Sequence, residues 1–167
     1  CALPISLPPG ARGYMLRARP VTGQLPTLSR VAGFLRYVPL QYQHYYIDMA
    51  GDFEGYRQKF SAKTRSTITR KLKKFSEHCG GTLRWARYRS ADELRLFFPL
   101  ARQISARTYQ ERLLDAGLPD DPEYVERMVH QASEDRVRAF LLFDGERPVS
   151  YLFCPVEADV LVYEYLG

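Results

Sequence analysis

The stretch RVRAFLLFDGERPVSYLFCPVEADVLVYEYLG, residues 136–167, decides the reading of the fold. Three apolar runs, RVRAFLLF, PVSYLFCPV and VLVYEYLG, are separated by Asp144-Gly145-Glu146-Arg147 and by Glu157-Ala158-Asp159. Asp-Gly between apolar runs is a strong hairpin signal, because glycine accepts the positive φ of a tight primed turn. A β-meander is therefore expected, with residues 137–143 and 149–154 as an antiparallel pair.

Upstream, helical spacing replaces the short apolar runs. Ser90-Ala91-Asp92-Glu93 forms a capping box, since the Ser hydroxyl can take the third amide while Glu93 reaches back. It opens a helix with Leu94, Phe97, Phe98, Ala101, Ile104 and Thr108 on one side, and Pro99 is expected to kink it. Asp121-Pro122-Glu123 starts another helix, with Val125, Met128, Val129 and Ala132 as its stripe. Before these helices, TLRWARYR (82–89) reads as a short strand. In residues 53–81, Phe53, Tyr56, Phe60, Thr64, Ile68, Leu72, Phe75 and Cys79 fall three or four apart, an amphipathic helix. Asp52 is placed to cap it, Ser61 to cap a second helix after a break, and Gly80-Gly81 to stop it. Residues 40–47 alternate Leu40, Tyr42, His44 and Tyr46 against Gln41, Gln43, Tyr45 and Ile47, a β pattern that Pro39 keeps away from a central position. Residues 7–33 are rich in Pro and Gly and read as loop, with one short strand at 14–18.

The chain has 167 residues, 46% hydrophobic and 26% charged, enough for one domain with a proper core. No apolar run approaches the roughly 20 residues of a membrane-spanning helix. Cys79 and Cys154 have no CxxC partner, so both are expected as reduced thiols in a cytoplasmic protein. His44, His78 and His130 are scattered, and no metal site is expected. The net charge of +5 is local: between Asp52 and Glu77 stand eight Lys/Arg against three acids, while the rest carries sixteen of each sign. A basic stripe of this kind is suited to meet an anion.

The opening CALPISLPPG lacks the uninterrupted apolar run of a signal peptide, because Pro4 and Pro8 break it. Codons for residues 1–5 can be written TGT GCT CTT CCG ATC, with a T opening Ser6, which matches the tail of a common short-read sequencing adapter. Residues 1–6 are accordingly expected to be adapter read-through, residues 7–36 a loop-rich segment, and residues 37–167 the folded domain.

The meander after a pair of helices, with FLLF, Asp144-Gly145 and Pro148-Val149-Ser150-Tyr151 at its first turn, is similar to the front half of the GNAT acyltransferase fold. The segment FSAKTRSTITRKLKKF (60–75) resembles the basic helix of the FemAB-like, CelD-type branch, through Phe60, Arg65, Arg70, Lys71, Leu72 and Phe75. The resemblance covers residues 37–167. It implies a mixed α/β fold with a mostly antiparallel central sheet and flanking helices. It also implies acyl-CoA-dependent transfer of an acyl group to an amine on a small molecule or peptide, with acetyl-CoA or another acyl-CoA as co-substrate. In that family a loop and helix N-terminus after the fourth strand hold the pyrophosphate of coenzyme A. If residues 160–166 are that strand, the chain is expected to be a fragment incomplete in its C-terminal half and inactive by itself, with 160–166 at the sheet edge.

The resemblance makes Glu164 the candidate general base; the plain alternative is a strand-edge carboxylate facing solvent or an arginine. Strict alternation would place Glu164 with Val160, Val162 and Leu166, and Tyr163 with Tyr165 on the opposite face. Either tyrosine is a candidate donor to a departing thiolate, Tyr163 foremost; core packing is the alternative. Cys154 reads as an inert buried thiol. On the basic helix, Lys59, Lys63, Arg70, Lys73 and Lys74 fall opposite the apolar stripe and read as solvated. Arg65 and Lys71 fall on its edges and are the candidates for holding an anionic group, against simple salt-bridging to the sheet. Three rival readings remain: an aminoacyl-tRNA-dependent FemAB-type transferase, a non-enzymatic nucleic-acid-binding module using the basic helix, and a catalytically dead GNAT-like domain. The YQHYY run is a possible stacking platform for bases, against ordinary sheet packing.

Overall fold

The computed structural model describes residues 9–10, 12–16, 19–43, 45–114 and 116–167. The adapter reading of residues 1–6 lies outside the described residues, as do positions 17, 18 and 44. The chain divides into two compact units, Cys1–Phe53 and Glu54–Gly167.

In the first unit, strands β1 (Leu28–Val31) and β2 (Phe34–Tyr37) pair antiparallel, Val31 opposite Phe34. Ala32 and Gly33 turn the hairpin with φ of 49° and 82°, the pair of positive values that a type I′ turn needs. The expected strand at 40–47 does not form: Gln41–Gln43 and Tyr45–Ile47 carry no strand. Alternation makes a strand only where one face is covered, and Tyr42, Tyr45, Tyr46 and Ile47 all stand exposed. The Gln41 amide instead brackets the Leu25 backbone, accepting from its N–H at 2.8 Å and donating to its carbonyl at 2.7 Å. The strand expected at 14–18 is likewise missing over the described Tyr14, Met15 and Leu16.

The second unit opens within α1 (Phe53–Gln58), whose first residue is the last of the first unit, and α2 (Ala62–His78) follows after a break where Ser61 caps it by accepting from the Thr64 N–H. Then come β3 (Arg84–Tyr88), α3 (Ala91–Ser105), α4 (Tyr109–Leu114), α5 (Pro122–Ser133), β4 (Val137–Asp144), β5 (Arg147–Glu157), β6 (Val160–Leu161) and β7 (Tyr165–Leu166). The capping box forms at Ser90 and Glu93, and Asp121 caps α5 with Pro122 behind it. Pro99 sits on the exposed side of α3, and the helix continues past it to Ser105.

The sheet runs β3-β4-β5-β6, all antiparallel, with β7 also on β5. Gly145, at φ 60°, turns β4 into β5. One sheet face is covered. Leu94, Phe97, Phe98 and Ala101 of α3 and Tyr124, Met128, Val129 and Ala132 of α5 pack on Val137, Ala139, Leu141, Tyr151 and Phe153. Truncating Phe97 or Phe153, both 0% exposed, would cost about 3–5 kcal/mol. The mixed α/β, GNAT-like architecture expected from the sequence is the one observed.

Helix α4 is a departure from the sequence reading, which carried one helix as far as Thr108. It is held by a polar knot. Arg102 grips Glu111 with two bonds, 2.7 and 2.8 Å, and donates to the Leu118 carbonyl. Buried Ser105 donates to Glu111 at 2.7 Å and accepts from the Leu118 N–H at 2.8 Å. Gly117 is required here, because a Cβ would collide with the Glu111 carboxylate.

Candidate functional site

The edge strand is interrupted, and the interruption builds the site. Leu161 pairs with Val156, yet Tyr165 pairs with Phe153, so the edge strand has one residue more than its partner. The Glu164 N–H also donates to the Phe153 carbonyl, at 3.3 Å. Two consecutive residues, Glu164 and Tyr165, thus oppose one, which defines a β-bulge. Further along, the Val162 N–H donates to the Pro155 carbonyl at 2.8 Å. Tyr163 lies between these two inward donors, in the stretch 162–164 that carries no strand.

The bulge corrects the expected faces. The extra residue resets the alternation, so Tyr165 joins the helix-covered side while Leu166 leaves the side that Val160 and Val162 occupy. Tyr165 packs edge-to-face on Tyr124 at 6.2 Å and beside Phe153 at 6.5 Å. Tyr163 and Tyr165 are accordingly parted: Tyr165 is half-buried in the core, and Tyr163 is 65% exposed.

Glu164 is exposed by area, yet the surrounding protein mass raises its pKa above the ordinary carboxylate value. Desolvation is the main cause and the Glu157 carboxylate adds to it, while Arg127 opposes. The Cys154 thiol, buried under the same edge, is pushed up to about 11 by burial and then by Glu164, and stays protonated at neutral pH.

Helix α5 supplies the other wall. Tyr124 is 6% exposed, rests its ring against Phe98 and Tyr165, and carries the Arg127 guanidinium over its face at 5.1 Å. Its hydroxyl has no hydrogen-bond partner. Burial, and next the charge of Glu164, raise the phenol pKa, so it remains an O–H. Leaving such a group unpaired costs about 1–3 kcal/mol. The sequence reading passed over Tyr124 and Arg127, although Tyr124, Met128 and Ala132 at four-residue spacing put the tyrosine on the buried stripe.

Arg65 and Lys71 do not join this cluster. Arg65 donates to the Phe60 carbonyl at 2.6 Å, tying down the start of α2, and Lys71 is exposed. The hydrogen bonds and ion pairs described between α2 and the sheet lie at the far end of the helix. There His78 meets Asp144 at 3.4 Å, and Cys79 meets Asp144 and the Phe143 carbonyl. That hairpin corner is about 20 Å along β5 from the bulge, at about 3.3 Å per residue. A second recess, lined by Arg89, Ser90, Glu93 and Asp135, is internally satisfied. Arg89 and Arg138 both pair with Asp135, and Glu93 takes the Arg89 and Ser90 N–H groups. Among the described residues no group of three or more His, Cys, Asp or Glu is placed to hold a metal ion.

Fold and site together define a mixed α/β domain whose antiparallel sheet ends in a bulged edge carrying an acid–base cluster. A family model described as an acetyltransferase (GNAT) domain matches residues 62–167, more than half of the chain, and the chain belongs to that family. No curated protein and no solved structure matches it. The match covers α2 and everything after it.

Proposed function

We propose that the chain is part of an acyl-CoA-dependent N-acyltransferase of the FemAB-like, CelD-type branch, inactive by itself, with Glu164 as general base. The observation that carries this reading is the bulge, which sets Tyr163 beside a carboxylate of raised pKa at the sheet edge. Bound acyl-CoA supplies a thioester carbonyl. The Tyr163 N–H donates to that oxygen, where negative charge develops on attack. Glu164 takes a proton from the amine, and its raised pKa brings it closer to the working pH of a general base. The exposed Tyr163 hydroxyl is the donor proposed for the departing sulfur. The thioester end of the donor fits these residues. At α3 and α5 the Glu93 and Tyr124 amides already bond Ser90 and Asp121, and its pyrophosphate is assigned no site. No step is assigned through the nucleotide.

The test is thiol release from acetyl-CoA by the complete protein, with benzylamine as acceptor. Glu164→Gln is expected to lower kcat by about 10²–10⁴-fold. The acid limb of kcat/KM in the native protein should lie above the ordinary carboxylate range, since the base works only when deprotonated. Equal rates for native and Glu164→Gln protein would end the assignment.

A second reading draws on α2. None of its residues is buried, and the ion pairs described on it are Lys73 with Glu77 and His78 with Asp144. An anionic acceptor such as charged tRNA, or a nucleic acid bound without chemistry, would use that face. Binding would then fall steeply with salt, about one power of concentration per phosphate contacted. A cytoplasmic setting is part of the proposal, supported by Cys79 and Cys154 standing as free thiols. Among the described residues no helix is long and apolar enough to cross a membrane.

A further inference from the structure

We propose that α2 lies flat on an anionic lipid surface, with Ile68 and Leu72 among the acyl chains and its cations on the headgroups. The inference is independent of the acyl-transfer chemistry, and it gives α2 a partner other than the nucleic acid of the second reading above. The helix is 17 residues long and buries none of them, although it carries an apolar stripe. At about 100° per residue, Thr64, Ile68, Leu72, Phe75 and Cys79 fall within an arc of about 80°. The C-terminal end of that stripe is half-buried. Phe75 stacks on His78 at 6.4 Å, and Cys79 meets Asp144 and the Phe143 carbonyl. Its middle is open, with Ile68 45% and Leu72 52% exposed on one side of the helix.

The charge beside the stripe names the partner. Residues 62–78 hold six Lys/Arg against one acid, Glu77, which pairs with Lys73 at 3.9 Å. Arg65 and Lys71 border the stripe at about 60° on either side of Ile68, and Lys63, Arg70, Lys73 and Lys74 lie beyond them. Aliphatic side chains along one line, cations on both flanks and low overall hydrophobicity make an interfacial helix, which lies in the headgroup plane without spanning it. Lys71 runs its apolar stem beside the stripe and lifts its ammonium to the phosphates. Arg65 keeps its bond to the Phe60 carbonyl and adds its charge to the other flank. A nucleic acid would engage the cations and leave Ile68 and Leu72 in water, and the open part of the stripe has no aromatic ring on which a base could stack. An anionic bilayer takes both, the charges at the headgroups and the aliphatic pair below them.

The test is sedimentation of the complete protein with vesicles of phosphatidylcholine, alone or mixed in equal parts with phosphatidylglycerol. Binding is expected to the mixed vesicles, to fall with added salt, and to be weaker to phosphatidylcholine alone. Ile68→Gln with Leu72→Gln should bind the mixed vesicles about tenfold more weakly. That double variant should melt with the native protein, because neither side chain is buried, and its affinity for oligothymidine should be unchanged. Lys71→Gln with Lys74→Gln leaves the stripe intact and should weaken vesicle binding about 25-fold, each cation near such a surface being worth about fivefold. No binding of the mixed vesicles by the native protein, or equal binding by either double variant, overturns the inference. Equal binding to both kinds of vesicle removes the charge argument and overturns it as well. Oligothymidine binding without vesicle binding returns α2 to the nucleic-acid reading.

Discussion

Glu164 and Glu111 are perturbed in opposite directions, and the contrast separates the carboxylate proposed as general base from a structural one. Arg102, then Ser105, hold Glu111 below its ordinary pKa, against the cost of burial. Its contribution to stability is present above the unfolded value and is lost as pH falls through the folded one. Glu164 is raised, so the folded state binds its proton more tightly than the unfolded chain does. Stability from this group is therefore full below about pH 4 and declines as pH rises through the folded pKa. Glu164→Gln is expected to melt above the native protein at pH 7–8, with the difference vanishing near pH 4. Parallel melting curves at both pH values would show that the carboxylate is not perturbed. Glu164 was a candidate in the sequence because the family resemblance places a Glu on that strand. Tyr124 was not, because an unpaired hydroxyl is a property of its surroundings and leaves no trace in spacing.

The β5–β6 turn carries a cost that its neighbours avoid. Ala158 and Asp159 both hold positive φ, 48° and 63°, with no glycine to relieve it. An L-residue pays about 1–2 kcal/mol in that region, and glycine returns part of this as unfolded-state entropy. Ala158→Gly is expected to stabilise the protein by up to about 1 kcal/mol. The change should appear as a higher urea midpoint at unchanged m value; a lower midpoint would show that the turn is unstrained. The Asp144-Gly145 hairpin, the capping box and the Asp121-Pro122 start were legible because each depends on side chains within four residues. Residues 40–47 misled because their alternation has no partner strand or helix to cover it. Helix α4 did carry a local signal, the Thr108-x-x-Glu111 spacing of a capping pair, but the longer stripe of α3 ran over it. The bulge had none, since one inserted residue changes register without changing composition.

Across the second unit, structure is distributed unevenly. The buried cluster draws on α3, α5 and the sheet, while α2 leaves Ile68 and Leu72 45% and 52% exposed. On the sheet face away from the helices, Trp85 is 62% exposed, and Phe140, Leu142 and Leu152 are partly open. The bulged edge lies at the margin of the cluster, where Tyr124, Phe153 and Tyr165 reach it. Backbone protons should therefore trade with deuterated solvent on two clocks. Amides of β4, clasped by β3 and β5, are expected to exchange only when the whole unit opens. Those of residues 161–165 are expected to exchange through small local openings, orders of magnitude sooner. Uniform protection across the sheet would contradict this. The rim can then loosen and close again while the aromatic core stays shut, so breathing at the edge need not draw on the stability of the fold.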